Sequence, residues 1–209
     1  MANDIDIGLF SINTDHLVDA EALSTVAMAA EEAGFESVWT AEHVVLPDPQ
    51  MPPSPLPPDA ELLDPTVALG YVAAVTTRIK LATGIIILPQ RNPLVLAKEL
   101  ASVDVLSNGR MLFGVGVGYL EPEFDAIGIP MEDRGRRTTE YIEAMRSIWN
   151  DEDPAYEGDY VSFAGVKAFP RPIQPLGPPV IMGGHSVPAW RRSVTHSQGW
   201  YGFMLDPEA

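Results

Sequence analysis

His43, in the segment TAEHV, is the side chain best suited to proton chemistry in this sequence. Its imidazole can give or take a proton near neutral pH. The plain alternative is a structural histidine bonded to a loop carbonyl. Glu42, beside it, either orients the imidazole or faces solvent. A second chemistry is suggested by Gly183-Gly184-His185-Ser186, which runs into a helix opened by Pro188. Free N–H groups and the positive end of a helix hold a phosphate, and glycines let it come close. Ser186 then caps the helix or bonds the phosphate, and a plain turn is the simpler reading. Gly114, Gly116 and Gly118 alternate, so they do not match the dinucleotide spacing GxGxxG. On a strand end, alternating glycines leave one face bare to a planar ring or a chain of phosphates. Gly84 interrupts a strongly apolar run, which marks a bulge, a close backbone approach or a small packing residue.

Other chemistries are excluded or weak. The sequence has no cysteine, so thiolate metal sites and cysteine nucleophiles are absent. His43 and Glu42 lack partners at metal-ligand spacing, and no metal site is expected. No GxSxG elbow accompanies the serines. Arg134, Arg136 and Arg137 can meet a carboxylate-rich ligand, but local ion pairs with Glu132, Asp133 and Glu140 are the simpler reading. His185 and His196 have loop or structural roles as the default. A net charge of −16 argues against nucleic-acid binding, which needs clustered positive surface. No apolar run approaches the ~20 residues of a membrane span. MANDIDIGLF has no basic region before an apolar run, so a signal peptide is not expected and a cytoplasmic location is the default.

The elements that must position these residues alternate in type. Strands are predicted over 5–10, 37–40, 80–88, 110–117, 178–182 and 199–203. Helices are predicted over 18–33, with Val18, Ala22, Val26 and Ala29/Ala30 on its inner side, and from Pro65 to Ala74 with Asp64 as N-cap. Further helices follow from Asn92 as cap to Leu106, from Asp133 as cap to Asn150, and from Ser186 onward. YEGDYVSF reads as a small hairpin. The proline-rich stretch Pro47–Asp64 cannot be regular structure and reads equally as an insertion or a lid. Alternation of strand and helix implies a parallel sheet with right-handed crossovers. Runs such as ATGIIIL, apolar on both faces, fit helices on one side and a core on the other. Periodicity leaves a (β/α)8 barrel and an open doubly wound sheet both possible. No domain boundary is visible in the 209 residues.

GFESVWTAEHV, RIKLATGIIILPQRNPLVLAKELASVDVLSNGR, FGVGVGYLEPEF, GIPMEDRGRRTTEYIEAMRSIW, PPVIMGGHSVPAWRR and GWYGF occur in this order along almost the whole chain. Together they resemble the luciferase-like monooxygenase family, and within it the branch using coenzyme F420. The resemblance implies a TIM-type (β/α)8 barrel. Only about six of its eight βα units are accounted for, where a barrel takes ~250 residues. The expectation is therefore an incomplete barrel with open edges, which favours self-association into a homo-oligomer.

The resemblance also implies roles. His43 belongs to the cofactor ring and reacting centre. Thr83, Gly84 and Ile85 form a bulge with a non-proline cis peptide at Gly84-Ile85, backing the ring. Asn92 adds polar contacts to its capping role, and Gly116 and Gly118 touch the cofactor. Gly183, Gly184 and Ser186 hold its phosphate. Tyr119 stands where a sugar-phosphate dehydrogenase branch carries an acidic glutamate. That puts sugar-phosphate chemistry in doubt and leaves Tyr119 as a proton donor or a packing residue. The expected activity is hydride transfer between coenzyme F420 and a small organic substrate. The alternative is an oxygen-activating monooxygenase using FMN. A rival of another class is a non-catalytic partial barrel that binds a ligand or a partner chain.

Overall fold

The computed structural model describes residues 5–206. The start of the segment read for a signal peptide, residues 1–4, lies outside the described residues. Six parallel strand positions form one open sheet: β1 (Gly8–Phe10), β2 (Ser37–Thr40), β3 (Lys80–Thr83) with its continuation β4 (Ile86–Ile87), β5 (Met111–Gly116), β8 (Val180–Gly183) and β9 (Gly199–Tyr201). Their order is β1-β2-β3-β5-β8-β9, with β4 paired to β5. Between β5 and β8 lies the hairpin of β6 (Tyr156–Glu157) and β7 (Ser162–Phe163), antiparallel as its sequence predicts. This is an incomplete barrel: six strands, helices outside, and unpaired outer edges on β1 and β9 among the described residues. The sheet curls enough that Phe10 on β1 and Tyr201 on β9 come within 6.3 Å, ring centre to ring centre.

Local sequence explains most boundaries. Helix α2 (Pro65–Val75) begins where the Asp64 carboxylate accepts the N–H groups of Thr66 and Val67 at 2.9 and 3.1 Å. Pro65 sits at a first-turn position that needs no donor. Helix α3 (Pro93–Leu106) repeats this device, with Asn92 accepting from Leu94 and Val95. Helix α6 (Val187–His196) is capped by Ser186. The inner faces of α2 and α3 bury Leu69, Val72, Leu96 and Leu100 against Leu81, Met111 and Phe113. Among the described residues no helix is long and apolar enough to cross a membrane.

Several expectations are corrected. Helix α1 (Ala20–Glu32) is capped by Asp19 and buries Leu23, Ala27 and Ala30; of the residues expected on its inner side Ala30 is buried, Ala22 and Val26 are half-buried, and Ala29 is exposed. Leu23, Ala27 and Ala30 stand at i, i+4 and i+7, one stripe packed on the core. The first strand does not reach Ile5: pairing begins at Gly8 opposite Ser37, and Ile5 and Ile7 stay exposed. Asp133 does not cap α5 (Arg134–Asn150); its backbone is already helical and its carboxylate pairs with Arg136. A helix that the sequence pattern missed, α4 (Glu121–Ile127), follows β5 and ends at Gly128 in the left-handed conformation.

The strand predicted over 80–88 is broken. From Ala82 to Ile86 the chain advances four residues, while its partner advances three, from Leu112 to Val115. One extra residue against a regular partner is a β-bulge. It contains the cis peptide Gly84-Ile85.

Candidate functional site

The strand ends that carry His43, Gly84, Tyr119 and Gly183 lie on one side of the sheet, where barrels place their sites. The bulge builds the floor. Thr83 is fully buried, and its hydroxyl donates to the Gly114 carbonyl at 2.7 Å. Thr83 therefore holds the bulge instead of presenting a group to a ligand. Its own carbonyl lies where a Cβ on Gly114 would sit, only 1.7 Å from that position. Gly84 donates its N–H to Thr40 on β2 at 2.9 Å. The Ile85 side chain occupies the space that bare Gly116 leaves, 1.9 Å from where a Cβ would stand, and reaches to 3.1 Å from the same point on Gly183. The alternating glycines Gly114 and Gly116 thus receive the bulge itself. Gly118, in the left-handed conformation, lies against Ile87 and Phe124.

His43 stands in a chain of three side chains. Its Nδ1 is 3.3 Å from Oε2 of Glu123, and its Nε2 is 3.4 Å from the Tyr119 hydroxyl. The other Glu123 oxygen accepts the Val44 N–H at 2.6 Å. Burial, and then the Glu123 charge, push the Tyr119 phenol above its ordinary value. Glu123 lies on α4, so the unpredicted helix supplies the partner of the predicted histidine. The paired Glu121-Pro122 before Gly128 was the available signal for that helix.

Glu42 does neither of the two things expected of it. It is buried, accepts the Ile87 N–H and pairs with Arg91, which also reaches Asp64 at 2.7 Å. Burial pushes its carboxyl up, against the Arg91 charge and the Ile87 N–H. This clamp ties the residue before His43 to the strand leaving the bulge. Beside it, Gln90 has both amide atoms buried without a hydrogen-bond partner. Asn13, also unforeseen, fixes the other flank: its amide bonds Ala41 in both directions and accepts nothing else, donating to Leu63 at 2.6 Å. That bond pins the end of the proline-rich loop.

Gly183 closes β8, and Gly184 has φ +115°, a conformation open to glycine. Ser186 turns its oxygen to the Ala189 N–H at 3.3 Å. In the first turn of α6, Pro188 has no N–H and Ser186 already takes that of Ala189, so the donors of this helix start are partly spent within the chain. His185 does not join it, because its Nε2 accepts the Phe203 N–H at 3.0 Å. Trp200 donates to the Gly184 carbonyl.

The bulge, Gly116 and Gly183 therefore converge on Ile85, and His43 meets Tyr119. Asn92 stands apart as an exposed cap. The arginine cluster makes local contacts: Arg134 donates to the Met131 carbonyl, Arg136 pairs with Asp133, and Arg137 lies 4.4 Å over the Tyr160 ring and donates to Tyr141, while the Nε atoms of Arg134 and Arg137 are buried without a partner. No group of three or more His, Asp or Glu able to hold a metal exists among the described residues. A surface concavity of about 740 Å³ lies at the opposite end, lined by Arg146, Asn150 and Gln198, away from all these groups.

The sequence profile of the family described as luciferase-like monooxygenase matches residues 9–209. The crystal structure of monooxygenase RslO1 from Streptomyces bottropensis matches with a TM-score of 0.78 and 28% identity, covering 97% of this chain and 61% of that one. An FMNH(2)-dependent dimethylsulfone monooxygenase of Pseudomonas fluorescens is 31% identical over 180 residues, 84% of this chain and 46% of the relative. An F420-dependent glucose-6-phosphate dehydrogenase of Amycolatopsis mediterranei is 32% identical over 165 residues, 76% of this chain and 46% of the relative. The chain thus spans between 46% and 66% of the length of these and other curated relatives.

Proposed function

The chain belongs to the luciferase-like monooxygenase family, and on that premise we propose that it holds coenzyme F420, a deazaflavin, for hydride exchange with a small organic substrate. The observation that carries this reading is the convergence of the bulge, Gly116 and Gly183 on Ile85, at the same strand ends as the His43–Tyr119 pair. The residues fit the group. Ile85 offers an apolar support for the middle of a tricyclic ring. Gly183, Gly184, Ser186 and the start of α6 offer a phosphate seat. The unpaired Gln90 amide is a polar group awaiting a partner beside the bulge. The bound deazaflavin supplies the hydride chemistry, and the protein supplies position and protons. His43, backed by Glu123, stores the proton that accompanies hydride exchange. Tyr119 in place of an acidic glutamate speaks against a sugar phosphate as substrate.

A second reading is an FMN-dependent monooxygenase, favoured by the monooxygenase relatives of comparable identity. Oxygen uptake separates the two, because reduced flavin reacts readily with oxygen and reduced deazaflavin does not. Mixing the protein with each reduced cofactor in an oxygen electrode is expected to leave the F420 mixture at the rate of free cofactor. Accelerated uptake with reduced FMN would replace the first reading by the second. Self-association through the open edges of β1 or β9 belongs to the same proposal, since exposed strand edges invite pairing.

A further inference from the structure

The family resemblance makes His43 the residue that would meet the reacting centre. Its position in the fold suggests a different order. The His43 side chain is 9% exposed and that of Glu123 0%, whereas Tyr119 is 46% exposed. The three stand in line, from buried carboxylate through imidazole to accessible phenol. We infer that Tyr119 is the group that touches the substrate's reacting oxygen, and that Glu123 is a positioning residue that fixes His43 behind it in one tautomer. This inference rests on the oxidoreductase reading above and names the proton path within it.

The hydrogen-bond roles follow from what each group can do. An ionised carboxylate only accepts. One Glu123 oxygen is committed to the Val44 N–H, so the other must take its proton from Nδ1 of His43. A neutral imidazole protonated at Nδ1 has a lone pair at Nε2. The Tyr119 hydroxyl, 3.4 Å away, therefore donates to Nε2. Both His43 contacts are long, as hydrogen bonds of a catalytic chain often are before ligand binds. The rise of the Tyr119 phenol through burial and the Glu123 charge keeps it a donor at neutral pH.

When an alcohol is oxidised, its O–H bond breaks and the proton passes to the Tyr119 oxygen. The phenolic proton passes to Nε2, leaving an imidazolium paired with Glu123. The hydride chemistry would be supplied by the deazaflavin that Ile85, Gly183, Gly184 and Ser186 would hold, so that one hydride and one proton leave the substrate as its carbonyl forms. Reduction runs the same transfers in reverse. Glu123 holds the tautomer and stabilises the imidazolium, as a buried carboxylate does behind other catalytic histidines.

The test uses imidazole nitrogen NMR on the protein without cofactor, with the His43 signals assigned by their loss in His43→Gln. Wild type is expected to show the Nδ1–H tautomer. In Glu123→Gln the amide oxygen stays on the Val44 N–H and the amide NH2 turns to Nδ1, so the tautomer should invert to Nε2–H. Glu121→Gln, at an exposed position of the same helix, should leave Nδ1–H in place. An Nε2–H tautomer in wild type, or an unchanged one in Glu123→Gln, overturns the positioning role of Glu123. Tyr119→Phe should keep the tautomer and the cofactor affinity while lowering turnover about 100-fold or more. Turnover within twofold of wild type would remove Tyr119 from the substrate. If neither cofactor binds while the tautomer inverts as expected, the proposed function fails and the Glu123–His43 geometry stands. Cofactor binding with a tautomer indifferent to Glu123 removes the positioning role alone.

Discussion

Arg110 and Gln90 lie at opposite ends of neighbouring strands and are treated in opposite ways. At the N-terminal end of β5, all five N–H groups of Arg110 are used. They reach Ser107, Ala73, Thr76 twice and Ile79, at 2.7–3.2 Å. Nearby, Glu31 accepts the N–H groups of Thr77, Arg78 and Ile79, and Asp104 accepts from Ile173 and twice from Gln174. At the C-terminal end, Gln90 has no partner for either amide atom, and the His43 contacts are 3.3 and 3.4 Å long. The first end spends these polar groups on its own backbone. The second also has spent groups, in the Glu42–Arg91–Asp64 clamp and Asn13, but it leaves the Gln90 amide open, which suits a site and costs stability.

Substitutions at the two ends should therefore differ in sign as well as size. Arg110→Met strips five acceptors at once and is expected to destabilise by about 3 kcal/mol or more, read by denaturant unfolding, with ligand affinity unchanged. Gln90→Leu removes a buried amide that bonds nothing. It should stabilise by about 1 kcal/mol and weaken cofactor binding. A loss of stability from Gln90→Leu comparable to that from Arg110→Met would break the comparison.

An effect of the same size as that at Gln90 belongs to Glu31, and it depends on pH. Burial works against its charge, but the N–H groups of Ile79, Arg78 and Thr77 pull its carboxyl from 4.5 down to about 2. A depressed carboxyl stabilises the fold above its unfolded value, and that stabilisation fades as pH falls from 4.5 towards 2. Glu31→Gln should cost about 1 kcal/mol at pH 7 after solvent screening, and proportionately less near pH 2. Equal cost at both pH values would mean that the charge does not matter there.

What the sequence made legible follows the same division between local and distant partners. Asp64, Asn92 and Ser186 act on N–H groups two or three residues away, and each was readable as a cap. The glycine inside the third strand left a bulge as one of three readings, which the family resemblance selected, and the order of strands and helices announced a parallel sheet. Glu123 bonds a histidine 80 residues earlier, and Asn13 a carbonyl 50 residues later. Nothing in their neighbourhoods shows such partners. Glu42 was misread for the same reason, since its burial depends on Arg91, 49 residues on. Asp133 shows the converse: an acidic residue before a helix looks like a cap, yet a nearby arginine takes it.

The central claim, that the open strand ends form a deazaflavin site, is tested most directly by titrating the purified protein with coenzyme F420 and, separately, with FMN, followed by absorbance and fluorescence. Saturable binding of F420 is expected, weakened in Gln90→Leu and unaltered in Arg110→Met. Binding of neither cofactor by the folded protein would contradict it and make a non-catalytic partial barrel the better description.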